Sequence, residues 1–111
     1  MVTEFTPRRM FGYRRTELTT TTITPIGYAH GELKITRIQV VNITGSPASV
    51  TLHRAGTTPP FVFIPSTAIA ANSAQNLLGT GGSIFLLPGE TLYATASVAN
   101  ALIVYVDYET V

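Results

Sequence analysis

The sequence predicts an all-β chain: an antiparallel β-sandwich of seven or eight short strands, jelly-roll or immunoglobulin-like, preceded by an extended N-terminal arm. Three observations predict it. Apolar and polar residues alternate over several short runs, the period of a half-buried strand. Gly, Pro, Asn and Ser fall between those runs, as turns do in sandwiches and barrels. No segment holds a helical apolar period long enough to build an α/β layer.

Taken in order, residues 1–16 (MVTEFTPRRMFGYRRT) hold no sustained period, and Pro7 and Gly12 would interrupt a helix. They read as an arm, separate from a sandwich domain over 17–111, and removing them is expected to leave that domain folded. Residues 17–26 (ELTTTTITPI) are rich in β-branched side chains and predict an edge strand ended by Pro25. Residues 32–43 (ELKITRIQVVNI) form the strongest strand. Leu33 and Ile35 share one parity and Ile38 and Val40 the other, which predicts a β-bulge near Thr36-Arg37.

A turn at 44–47 leads to a strand over 48–54, with Val50 and Leu52 on one face. Residues 61–64 (FVFI) predict a short strand stopped by Pro65, whereas 66–76 fit either a helical turn capped by Ser66 or a loop with a weak strand. After the flexible turn 79–82 come strands over 83–87, 91–98 and 101–108, the first two joined by Pro88-Gly89. The expected core is Leu33, Ile35, Val40, Val50, Leu52, Phe63, Leu92, Ala94, Val104 and Val106.

Composition narrows the function. Charged residues make up 12% of the 111 residues, against roughly 25% in an average domain. Apolar residues at 45% exclude a disordered chain, and no apolar run approaches the roughly 18 residues of a membrane span. Cysteine is absent, which excludes disulfides and thiolate chemistry. The net charge of +1 is unevenly placed: residues 1–16 carry +3 and the remainder −2. A basic arm on a slightly acidic body is a partner-binding arrangement. No apolar region follows the arginines, so no secretory leader is expected.

Catalytic constellations are not found. His30, His53 and Glu32 could supply a cupin-like metal site, but no H-x-H pair or further helper accompanies them. No metal or other cofactor is therefore expected. Glu90, Asp107 and Glu109 show no sign of the paired placement a glycosidase requires. Gly79-Thr80-Gly81-Gly82 lacks the lysine and helix of a phosphate loop, and no serine stands in a nucleophile elbow. The chain is expected not to be an enzyme.

Two features point to assembly. In the arm, Arg8, Arg9, Arg14 and Arg15 interleave with Phe5, Phe11 and Tyr13, a mixture enriched at protein interfaces. Four arginines offer few phosphate contacts, which argues against nucleic acid. In the body, residues 18–24 (LTTTTIT) bear no charge, although sheet edges in monomers are guarded by charge, proline or bulges. Thr19, Thr20, Thr21 and Thr22 are therefore expected at an edge-strand interface within an obligate or near-obligate oligomer.

The run Ile38–Thr44, the strand Val50–Arg54, the hairpin Leu86-Leu87-Pro88-Gly89-Glu90-Thr91-Leu92 and the final strand Val104–Tyr108 together resemble small β-sandwich structural proteins of tailed-phage virions. The resemblance covers about residues 17–110 and is one of strands and turns. It implies a structural subunit that decorates or cements a capsid, located in the virion. The partners it implies are further copies, with a trimer matching local threefold positions, and a major capsid protein or other virion proteins. A neck or tail ring component or a fibre adaptor is the alternative. A carbohydrate-binding sandwich ranks behind both, because tryptophan is absent.

Overall fold

The computed structural model describes residues 11–56 and 60–110. Among them are nine strands: β1 (Phe11–Leu18), β2 (Thr24–Tyr28), β3 (Leu33–Asn42), β4 (Ala48–Ala55), β5 (Phe61–Ile69), β6 (Ala74–Asn76), β7 (Ile84–Leu86), β8 (Thr91–Ala96) and β9 (Leu102–Thr110). No helix among the described residues is long and apolar enough to cross a membrane. The strands form two antiparallel sheets. One has the order β1-β9-β3-β6, with β7 also on β3; the other has the order β2-β8-β4-β5.

The pairings are nested. The first strand pairs with the last, the second with β8, the third with β6 and β7, and the fourth with the fifth. β6 covers Gln39–Val41 of β3 and β7 covers Leu33–Ile35, so the two short strands act as one interrupted neighbour. That interruption accounts for nine strands where the sequence suggested seven or eight. The chain is a long hairpin folded back on itself, so each sheet takes strands from both halves of the sequence.

Alternation builds the core. Leu92, Ala94 and Ala96 of β8, Leu102, Val104 and Val106 of β9, and Ala48, Val50 and Leu52 of β4 point between the sheets and are buried. Full burial of a side chain the size of Leu52 stabilises by about 1.5–3 kcal/mol. The expected bulge is present: the β3–β9 register shifts between Ile35 and Arg37, and Ile35 and Ile38 are both buried although three residues apart. Leu33 and Phe63, expected in the core, are half-buried and pack against it. Leu18, Ile26, Ile69 and Leu86 complete the interior.

Several expectations are corrected. The strand drawn over 17–26 is the end of β1, a bend, and β2. Thr19–Thr22 therefore lie in the crossover between the sheets, not in an edge strand. The Thr20 and Thr22 hydroxyls bond to each other at 2.8 Å, and the Thr22 amide donates to Thr20 Oγ1 at 3.4 Å. Such local bonds compete with a sheet ladder, and β-propensity acts only where a neighbour strand exists. Prolines mark irregular edges here and do not end strands. Pro25 lies within β2 beside a register shift, and β5 runs through Pro65. Pro65 and Ser66 lie between the pairs Ile64↔Leu52 and Thr67↔Val50, so both face the single residue Thr51. Among the described residues β5 has only one strand beside it, which lets a proline sit there without losing a ladder bond. Residues 66–69 belong to this strand, and no helical turn forms. Val98, expected to continue β8, is exposed in the following turn.

The boundary between arm and body is also displaced. Phe11–Leu18 pair with β9 over eight consecutive residues, from Phe11↔Glu109 to Leu18↔Leu102. Residues 11–16 are extended, as expected, but belong to the sheet. Their inward face is Gly12, Arg14, Thr16 and Leu18, of which only Leu18 is buried, so no apolar alternation marks the strand. A Cβ at Gly12 would lie 2.7 Å from the Tyr108 hydroxyl, so a side chain there would push the Tyr108 ring aside.

Candidate assembly interface

β1 divides the candidate arm residues between two faces. Phe11, Tyr13, Arg15 and Glu17 turn outward, while Arg14 turns toward the second sheet. Phe5, Arg8 and Arg9 lie outside the described residues. On the outer face Tyr13 stands beside Asp107, and Arg15 beside Tyr105. The charges of this face are paired within it. Arg15 Nη1 meets Glu17 Oε2 at 2.8 Å, and Arg37 Nε meets Asp107 Oδ2 at 3.1 Å. Lys34 Nζ lies 3.7 Å from the Glu109 carboxylate. A 3.4 Å contact from Arg15 Nε to the Tyr105 hydroxyl, together with Glu17, raises the Arg15 pKa further.

A group of exposed apolar side chains lies at one end of the sandwich. The pairings Phe11↔Glu109, Glu109↔Lys34 and Lys34↔Phe85 set Phe11 and Phe85 in one row across the outer face. Leu87 follows directly after β7. In the second sheet, Tyr28 ends β2 and Phe61 begins β5 at the same end, since Tyr28 pairs with Thr91, Thr91 with Ala55, and Phe61 with Arg54. All five side chains are exposed, from 47% at Tyr28 and Phe85 to 73% at Phe11.

Between the two sheets at this end is a cleft of about 450 Å³. Ile26, Ile35, Leu86 and Val106 form its apolar floor, while Arg14, His30 and Glu32 stand at its polar rim. The Tyr28 and His30 rings meet edge-on, with centroids 4.8 Å apart. The hairpin around Pro88 is fastened beneath the same end. Arg54 Nη2 donates to Glu90 Oε1 at 2.7 Å and to the Phe85 carbonyl at 2.9 Å. Glu90 Oε1 also accepts from the Leu87 amide at 2.8 Å. The Arg54 bond, and secondarily the Leu87 amide, hold the Glu90 carboxyl below its usual pKa against the effect of burial. Gly89 closes the turn in the left-handed region at φ +88, where a side chain would be strained.

The two histidines do not meet. His30 lies exposed between β2 and β3, and His53 lies on β4 with its buried Nδ1 unpartnered. Among the described residues no three His, Cys, Asp or Glu side chains gather to hold a metal ion. Sequence reasoning missed that Tyr28, Phe61, Phe85 and Leu87 gather at one end of the sandwich. Each sits at a strand end, and only the pairing of strands brings them together.

No protein-family model matches the chain, and no curated protein matches it. Among solved structures it is similar to the coat protein of Tobacco streak virus. Against the dimer of that protein the identity is 12% and the TM-score 0.49, covering 97% of this chain and 89% of that one. Against a second crystal form the identity is 12% and the TM-score 0.44, covering 96% and 90%. Chains this distant share at most the run of their backbone, and the likeness assigns this one no activity.

Proposed function

We propose that the chain is a non-enzymatic structural subunit of a virion, specifically a tailed-phage capsid decoration or cement protein that works as an oligomer. One observation carries the reading: Phe11, Tyr28, Phe61, Phe85 and Leu87 stand exposed at one end of a body of unusually low charge. A lone soluble domain gains its solubility from surface charge, and grouped apolar side chains mark contact surfaces. The nested strand order supports a jelly roll, an architecture shared by capsid domains, lectins and cupins. The separation of His30 from His53 weighs against the cupin alternative, and the lack of tryptophan against the lectin.

As a cement subunit the chain adds buried area across the seams between capsomers, and every copy that binds only the assembled shell stabilises it by mass action. Residues 1–10, with Phe5, Arg8 and Arg9, would supply further contacts to a major capsid protein or a neighbouring copy. The test is co-sedimentation of the purified chain with emptied heads and, separately, with isolated tails of the phage that encodes it. Stoichiometric binding to heads is expected. Binding to tails alone would favour the neck, tail-ring or fibre-adaptor reading, and binding to neither would overturn both.

A further inference from the structure

We propose that β1 is the edge through which two copies of this chain join, antiparallel about a two-fold axis at Thr16, so that their β1–β9 sheets become one. The proposal deepens the assembly reading above and rests on its premise that the chain associates with itself.

The edges differ in how they are guarded. β2 is five residues long, with Pro25 and a register shift. β5 contains Pro65 and two shifts. β6 and β7 have three residues each. β1 alone is long, free of proline and regular along its whole pairing with β9. Among the described residues no strand lies on its other side. Such an edge is a template for a further strand, and bulges, proline or shortness would have blocked it.

The sequence of β1 selects the occupant. Facing residues must lie on the same side of a joined sheet, so the axis has to pass through a residue position. An axis at Arg14, Arg15 or Glu17 sets like charges face to face, which is unfavourable. Only an axis at Thr16 sets an arginine of β1 opposite a glutamate of β1. Arg15 then faces Glu17 of the second copy and Glu17 faces its Arg15, while Thr16 faces Thr16 and Arg14 faces Leu18. Arg15 and Glu17 are about half exposed and already 2.8 Å apart within one chain, so the joined edge closes them into a four-membered ring of alternating charge. The same register sets Tyr13 opposite Thr19, which brings the start of the threonine crossover to the rim of the contact.

Two sets of variants test this. The chain has no cysteine, so Thr16→Cys introduces its one thiol. Facing Cα atoms in an antiparallel pair are about 4.5–5.5 Å apart, within disulfide range, whereas residues away from the axis are not. Mild oxidation is expected to convert Thr16→Cys to a covalent dimer and to leave Tyr13→Cys largely monomeric. In sedimentation the wild type is expected at twice the 11.9 kDa chain mass or a multiple of that. Arg15→Glu and Glu17→Arg should each lose the dimer step, and mixing the two should restore it, because their charges again alternate across the edge. Circular dichroism of each variant confirms that it is folded, and restoration on mixing excludes misfolding as the cause.

Equal cross-linking of Thr16→Cys and Tyr13→Cys would overturn the register, and an Arg15→Glu protein with the wild-type mass would overturn the edge. Co-sedimentation with heads separates this proposal from the one it rests on. Wild-type protein that binds heads while Arg15→Glu keeps its mass removes the edge pairing only. A dimer that meets every test but binds no virion part removes the virion reading only.

Discussion

β1 and β5 are both outermost strands, one in each sheet, of eight and nine residues. They are defended differently. β5 is broken by Pro65, by two register shifts and by the two-against-one placement opposite Thr51. Its backbone cannot offer a regular row of donors and acceptors. β1 offers that row intact, and its only guards are Arg14, Arg15 and Glu17. A broken backbone turns away every strand. Charge turns away most strands but admits one whose charges are complementary, and a second β1 meets that condition at one register. Phe61 and Val62 of β5 are exposed and available for side-chain contact.

The largest expected effect removes one side of this contrast. A chain lacking residues 1–16 loses most of β1 and strips the β9 backbone of its ladder partner along one edge. We expect it to show no cooperative thermal transition, contrary to the sequence-based view of 1–16 as a separable arm. A cooperative transition near the wild-type temperature would show that β1 is dispensable and no part of the body.

Next in size is Asn42→Ala, which frees one end of β5. Asn42 is buried, and its Nδ2 donates to the Ser46 and Ile69 carbonyls at 2.9 and 3.0 Å. Its Oδ1 accepts from the Thr44 amide and hydroxyl. Truncation removes the partner of the buried Ile69 carbonyl and of the part-buried Thr44 amide, so chemical denaturation should register a loss of about 2–4 kcal/mol. A loss within experimental error would mean that β5 is held by its ladder alone.

At the other end of the β4–β5 pair, Glu90→Gln should cost about 1–2 kcal/mol at neutral pH. The folded chain holds the Glu90 carboxyl at a lowered pKa, chiefly through Arg54. A depressed carboxylate contributes its full stability above the unfolded-state pKa and loses it as the pH falls through the lower folded-state value. Wild type should therefore lose stability across and below the usual carboxylate range more steeply than Glu90→Gln. Parallel pH profiles for the two proteins would remove Glu90 from that transition.

The smallest effect on stability, within about 0.5–1 kcal/mol, is expected for Pro65→Thr. Its consequence lies in solubility. The change gives β5 an amide donor and a side chain suited to strands, so light scattering should show faster concentration-dependent aggregation. Unchanged scattering would mean that the register shifts alone protect this edge.

How much of this the sequence disclosed depends on where the physical signal lies. The bulge in β3 was legible because Ile35 and Ile38 change parity, and β8 and β9 were legible from their alternation. β1 was not, because Gly12, Arg14 and Thr16 occupy its inward positions and Leu18 alone is buried. The signal that places β1 is the fit of Tyr108 over Gly12, and that contact joins opposite ends of the chain. Arg54 and Glu90 are likewise distant in sequence, and the turn pattern around Pro88 does not reveal the arginine that fastens it. The threonine run misled for a related reason: β-branched residues suit a strand only beside a neighbour, and at 19–22 the chain is crossing between sheets.

The central claim is that β1, and not β5, is covered when the chain assembles. Amide hydrogen exchange at low and high micromolar concentration tests it most directly, with both edges read in the same sample. The account predicts that the β1 amides turned away from β9 become protected as the concentration rises, while those on the open side of β5 exchange at one rate throughout. Equal and concentration-independent exchange at both edges, or protection gained at β5 and not at β1, would contradict it.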